Sequence, residues 1–555
     1  MTRQSLNILI FVNILSIDIF MKRTIAFVFI IFILSTGFLE SGQQPKLVIF
    51  FSIDQMKAEY LEWYKAEFTG GFKRILAEGT QYTNADLNYA PSETGPGHAA
   101  LGTGSYPMHS GITSNDWFDR ETLKQVYCVE DSTAEKAEAE GGGVSSKNLM
   151  VTALGDWLKK TFPSSKVIAA SIKDRAAILM GGQRPDYAFW YDRKSGHMVT
   201  SEFYVKEMPS WVRAFNANDW IAHHLPAAWT KAMPESVYEK YGPDELEGEM
   251  KWGGSTSFPH AFQADKRNEQ IVTSPFGDAM VLDFAFEAVK SEKLGQRDAP
   301  DLLLISLSCT DYIGHAFGGN SHEMADQMIR LDRALGDFLV KVEELVGPGN
   351  IFLSLSADHA AMPLPEYRKN VQHKDAHRII TTADINPRIQ LLDLTLQREY
   401  KTTEHIIQSE AFLNYSAAAA SGIDSSSLEQ RVKDGLLKIS GIADVYFCRE
   451  LTNGNPQSHA YLGYYQRGYF PPRGRDFIIR PCEYCLLTTS PTGTTHGTPY
   501  RYDTHVPILF WGMGVKAQQV ARVVHTVDIA PTIAKVLGMS SPATIDGKSL
   551  KEIVK

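Results

Sequence analysis

The 555-residue sequence predicts an α/β protein with a mostly parallel central sheet flanked by helices, and with cap insertions. Three observations carry that class. After residue 45, short apolar runs alternate with helical patterns, the rhythm of strand-helix-strand units. Four of the apolar runs end in Asp, His, Lys or Arg. The connection "SHEMADQMIRLDRALGDFLVKVEELVGPG" places Met324, Met328, Leu331, Leu335, Phe338, Val342 and Val346 at helical spacing and stops at Gly347-Pro348. It then returns to an apolar run at Ile351, which is a βαβ crossover.

Taken in chain order, residues 1–44 read as a hydrophobic leader. "MKR" introduces the short apolar run Ile25 to Leu34, followed by the small residues Ser35, Thr36 and Gly37, the layout of a secretory signal peptide, so Met21 is a plausible true start. That run is shorter than the roughly twenty residues a membrane helix needs. The expected protein is therefore periplasmic or secreted, with no stable membrane association after cleavage. A net charge of -9 without a basic cluster argues against a nucleic-acid partner. Residues 45–555 would form the catalytic domain, with insertions near 186–280 and 365–490.

The first buried run, "KLVIFFSIDQM", ends at Asp54. "SETGPGH" follows, and Thr94 beside Gly95, Pro96 and Gly97 reads locally as turn chemistry, or else as a hydroxyl presented at a helix start. "KVIAASIKDRAAI" ends at Lys173, Asp174 and Arg175; "DLLLISLSCTDYIGH" runs into Asp311 and His315; "NIFLSLSADHA" runs into Asp358 and His359. A single Asp after a strand is usually a cap or turn residue. Four together fit another rule: open α/β sheets bind ligands outside the carboxyl ends of their strands. Buried carboxylates beside imidazoles need compensating charge, which a divalent cation supplies.

Taken with "TGPGHAALGTGSYPMHSGITSNDW", "TDYIGHAFGGNSHEMADQMIRLD" and "HGTPYRYDTHVPILFWGMGV", these motifs resemble the alkaline phosphatase superfamily. Within it they are most similar to phosphate-irrepressible bacterial enzymes with a threonine nucleophile, which are related to type I phosphodiesterases and nucleotide pyrophosphatases. The resemblance implies an alkaline-phosphatase-like fold and two zinc ions per chain. One zinc would be held by Asp54, Asp358 and His359 with the Thr94 hydroxyl, and the other by Asp311, His315 and His496. It also implies that Thr94 attacks phosphorus and that Asn115, Lys173 and Arg175 bind the phosphoryl oxygens. A cationic pair suits a small-molecule monoester dianion, whereas a diester carries a second substituent there. The alternative on this scaffold is a phosphodiesterase or nucleotide pyrophosphatase. The sequence is compatible with a monomer.

In the first insertion, "AFWYDRKSGHMVTSEFY" reads as a hairpin turned at Ser195-Gly196. In the second, "SLEQRVKDGLLKISGIADVYF" reads as a helix then a strand. The two would cap the site, with one lining its entrance, or would only shield sheet edges. "CEYC" fits a local disulfide or two thiols, since no second CxxC completes a zinc set. His373 and His377 have ligand spacing but no preceding strand, and are expected in a solvated loop.

Overall fold

The computed structural model describes residues 44–553 apart from 123, 138–142 and 409–410, so the leader expected over residues 1–44 lies, but for Gln44, outside the described residues. Among those described, no helix is long and apolar enough to cross a membrane.

At the centre is strand β1 (Leu47–Ile53), buried along its whole length. Its side chains alternate between two cores. Leu47, Ile49, Phe51 and Ile53 enter one, and Val48 and Phe50 enter the other. A strand covered on both faces has no polar side, which is why it reads as an unbroken apolar run.

Around it lies a ten-stranded sheet. Its other strands are β2 (Thr80–Tyr82), β3 (Lys136–Ala137), β4 (Val167–Ser171), β5 (Tyr187–Asp192), β6 (His197–Ser201), β7 (Asp301–Leu307), β8 (Ile351–Ser356), β9 (Ile508–Gly512) and β10 (Gln518–Val520). The spatial order is β10-β2-β9-β8-β1-β7-β4-β5-β6-β3. Strands β8, β1, β7, β4 and β5 are mutually parallel, while β9 and β6 run against their neighbours. The sheet is thus mostly parallel, as the sequence predicts.

Helices cover both faces. They include α1 (Gly71–Glu78), α2 (Thr94–Thr103), α3 (Asp174–Gly181), α4 (Pro275–Ser291), α5 (Cys309–Phe317) and α6 (His322–Val346). Helix α6 matches the predicted periodicity: the seven apolar residues named for it are all buried. The Ser321 hydroxyl accepts from Met324 N at 3.1 Å as its cap, and Gly347 ends it at a φ of 91°.

The insertions differ from expectation in one respect. The hairpin turned at Ser195-Gly196 forms, but its strands are β5 and β6, so it extends the central sheet rather than capping it. The second insertion contains the predicted helix (Ser425–Leu436) and strand (Ile442–Phe447), the latter paired with Phe477–Pro481. Its own core includes Leu396, Leu428, Val432, Val445 and Phe477. Cys482 and Cys485 form a disulfide. His373 is exposed in a loop, whereas His377 opens a short strand (His377–Ile380), still exposed.

Candidate active site

The order β8-β1-β7-β4 sets Asp358, Asp54, Asp311 and Lys173 side by side, because each lies one to four residues past the end of its strand. Thr94 enters from helix α2, whose first residue it is. Glu93 before it is extended, and neither Gly95 nor Gly97 has a positive φ. The turn reading of "TGPG" therefore gives way to a helical one. Gly97 serves close approach: a Cβ there would lie 2.5 Å from both the Asp358 Cβ and its carbonyl oxygen. Pro96 suits the helix's first turn, where its missing N–H would have had no partner.

The Thr94 Oγ1 lies 3.5 Å from His359 Nε2, 3.4 Å from Lys173 Nζ and 3.5 Å from an Arg175 guanidinium nitrogen. Lys173 Nζ also lies 2.6 Å from Asp54 Oδ2 and 2.6 Å from Asp311 Oδ2. His359 Nε2 is 3.5 Å from Asp54 Oδ1 and 3.3 Å from Asp358 Oδ2. On the other side, His315 Nε2 is 3.1 Å and His496 Nε2 3.8 Å from Asp311 Oδ1. The His359 and His496 rings stack at 3.6 Å between centroids.

These donors fit divalent cations. His315 Nδ1 meets the Thr494 carbonyl at 2.7 Å, His496 Nδ1 that of Ser92 at 2.6 Å, and His359 Nδ1 that of Ala360 at 3.1 Å. A carbonyl can only accept, so each Nδ1 carries the proton and each Nε2 lone pair is left for the site, as metal-binding imidazoles require. Asp54 Oδ1 is buried without a hydrogen bond, Asp54 Oδ2 meets the Lys173 ammonium, and Asp358 Oδ2 has ring nitrogens of His98 and His359 at 3.3 Å. Asp311, His315 and His496 have ligand atoms close enough to share one ion, as do Asp54, Asp311 and His359, and Asp54, His98 and Asp358.

The buried charges shift one another in both directions: burial would lower His315, but Asp311 outweighs it and raises that imidazole above its ordinary value. Burial, then repulsion from Asp358, pushes the Asp54 pKa well above the usual carboxylate range. Burial would raise Asp311 too, but His315 and Lys173 hold it well below that range. Burial lowers His359 to about 4 against the pull of Asp358, and burial with its two neighbouring imidazoles lowers His496. Both imidazoles are thus neutral and able to donate a lone pair.

Asn115 precedes an antiparallel hairpin (Asp116–Asp119 with Lys124–Tyr127). Its Oδ1 accepts from Gly95 N at 2.8 Å, leaving the NH2 group to donate. Tyr127, paired with Asp116 across that hairpin, accepts from Arg175 at 3.3 Å and donates to Asp174 Oδ1 at 2.5 Å.

Sequence reasoning missed three supporting residues. Gln55 donates from its backbone N to Asp358 Oδ1 at 3.1 Å and from Nε2 to Asp311 Oδ1 at 2.7 Å. Tyr127 is the second. The third, His98, places Nδ1 2.9 Å from the Thr94 carbonyl and 3.3 Å from Asp358 Oδ2, with Nε2 2.8 Å from Ser306 Oγ. Protein groups hold both its nitrogens, so it supports Asp358 rather than offering a lone pair. Its i, i+4 spacing from Thr94 was the available signal.

Residues 48–421 match the family model for type I phosphodiesterase / nucleotide pyrophosphatase. The chain belongs to that family. Alkaline phosphatase PhoV of Synechococcus elongatus is 34% identical over 93% of this chain and 94% of its own. Alkaline phosphatase PafA of Elizabethkingia meningoseptica is 33% identical over 92% and 95%. The crystal structure of wild-type PafA superimposes with a TM-score of 0.85 at 32% identity, covering 93% of this chain and all of that one. A second PafA structure carries substitutions of a threonine and an asparagine 21 positions apart, and of a lysine and an arginine two apart. Thr94 and Asn115, and Lys173 and Arg175, have the same separations in this member of the type I phosphodiesterase / nucleotide pyrophosphatase family.

Proposed function

We propose that this chain is a zinc-dependent alkaline phosphatase that hydrolyses small phosphate monoesters through a phosphothreonine at Thr94. The observation that carries the reading is the pair of cations, Lys173 and Arg175, both within 3.5 Å of the Thr94 hydroxyl. Asp54, Asp358 and His359, with Thr94, would hold one zinc, and Asp311, His315 and His496 the other. Zinc supplies a lowered pKa for a hydroxyl or water and stabilises a departing oxygen.

The chain's own residues do the rest. The Thr94 Oγ forms a bond to phosphorus as the ester P–O bond breaks and the alcohol leaves. Water then attacks phosphorus from the vacated side, the Thr94 bond breaks, and inorganic phosphate departs. The Asn115 NH2 group and the Arg175 fork bind non-bridging oxygens, and Tyr127 and Asp174 keep that fork aimed. Helix α2 directs its N-terminal N–H groups and positive dipole toward the same place. We assign the chain to the periplasm or cell exterior on the leader pattern of residues 1–44.

A diesterase would have to set a second ester substituent against Arg175. Assaying the purified protein with p-nitrophenyl phosphate and its bis ester, with metal analysis of the same sample, tests the reading. Preference for the monoester with two zinc ions per chain is expected; preference for the diester refutes it.

A further inference from the structure

A cavity of about 490 Å³ lies between the start of helix α2 and the second insertion. That is the size of a pocket for an organic ligand. Its lining is mixed. Glu93, Ser114 and His496 line it, each next to or among the groups gathered at Thr94. Ile478 and Ile479 from the strand Phe477–Pro481, with Leu487 and Trp117, add apolar lining.

We infer that this cavity receives the alcohol portion of the substrate, and that the preferred monoesters carry a bulky, uncharged alcohol with an apolar body. The inference rests on the monoesterase reading above. A phosphoryl group at Thr94 has its ester oxygen facing away from the nucleophile, and whatever that oxygen carries must occupy space continuous with the site. The cavity is that space on the His496 side.

The charges around it argue against a second phosphate there. Arg473 borders the cavity, but it donates to the carbonyls of Gly111 and Asn148 and lies 4.4 Å over the Trp117 ring. Arg475 also lines the cavity. Glu93 and Asp116 line the cavity, and the Glu93 carboxylate already accepts from Ser114 Oγ and Asn115 N, each at 2.7 Å. A polyanionic leaving group would meet two carboxylates and, in Arg473, a guanidinium already held by two carbonyls. An apolar one would bury its surface on Ile478, Ile479 and Leu487.

The test is kcat/KM for 1-naphthyl phosphate and glycerol 3-phosphate, measured on the purified metal-loaded protein and on Ile478→Asp and Ile478→Ala. Intrinsic leaving-group acidity cancels when the naphthyl-to-glycerol ratio of each variant is compared with that of the wild type. The ratio is expected to fall at least about tenfold in Ile478→Asp and about threefold in Ile478→Ala. The alanine variant, with a thermal midpoint near the wild type's, serves if aspartate disturbs folding. An unchanged ratio, or equal losses for both substrates, overturns the inference while leaving the monoesterase reading in place. Failure of the wild type to hydrolyse either ester defeats both.

Discussion

Gln55 adopts left-handed backbone, with a φ of 64°, one residue after Asp54. A bulky residue there costs on the order of 1–2 kcal/mol and persists only where surrounding bonds over-determine it. The bonds are those to Asp358 and Asp311, so one residue ties together carboxylates from the ends of β8 and β7. Gln55→Leu keeps the bulk and removes the side-chain donor. Metal affinity measured by chelator competition should weaken about 10-fold to 100-fold in this variant, and an unchanged affinity would leave Gln55 without that role. Arg175→Ala should lower kcat/KM for p-nitrophenyl phosphate by at least about a hundredfold and for the bis ester much less. Equal losses would favour the diesterase. Asp54, Lys173, Arg175, Asp311, His315, Asp358 and His359 were legible because each follows an apolar run, whereas Asn115 and His496 came from the resemblance alone. Gln55 and Tyr127 were not legible: a left-handed φ and a contact from a hairpin to helix α3 leave no periodic mark.

Among the elements, helix α2 and the segment after β8 pack tightly at the site. The Gly97 position has no room for a methyl group beside Asp358. Gly97→Ala should displace the Asp358 carboxylate, lowering both activity and metal content; a variant with wild-type zinc and turnover would show the contact to be slack. Strand existence was readable from apolar runs, and helix α6 from its 3.6-residue period with Gly347-Pro348 behind it. The order of strands was not, because parallel pairing joins segments hundreds of residues apart, as with Leu47 beside both Asp301 and Ile351. Likewise, the alternation in Tyr187–Ser201 identifies a hairpin but is the same whether the hairpin caps a site or, as here, edges a sheet. "TGPG" is compatible with a turn or a helix start, and what its pattern does not reveal is that Gly97 provides clearance beside Asp358.

At the scale of the molecule, the first insertion is fastened to helix α6 through buried acid groups. His260 Nε2 lies 2.7 Å from Glu323 Oε1, both fully buried. Burial, then repulsion from Glu323, raises Glu249 to about 9, and burial raises Glu323 to about 8. Each carboxyl holds its proton more tightly folded than unfolded, so folded stability falls as pH rises from about 4.5 toward 9. Glu249→Gln should therefore raise the thermal midpoint at pH 9.5, relative to the wild type, by at least about 1 °C. The same comparison at pH 4 should show little gain, and a gain independent of pH would reject the assignment. The whole arrangement, with carboxylates from neighbouring strands, three imidazoles and two cations, converges on one hydroxyl. The most direct test is Thr94→Ala, assayed for p-nitrophenyl phosphate turnover and metal content on the same sample. The account predicts a fall of at least about a thousandfold in kcat/KM with metal content retained. A metal-loaded variant working within tenfold of the wild type would contradict it.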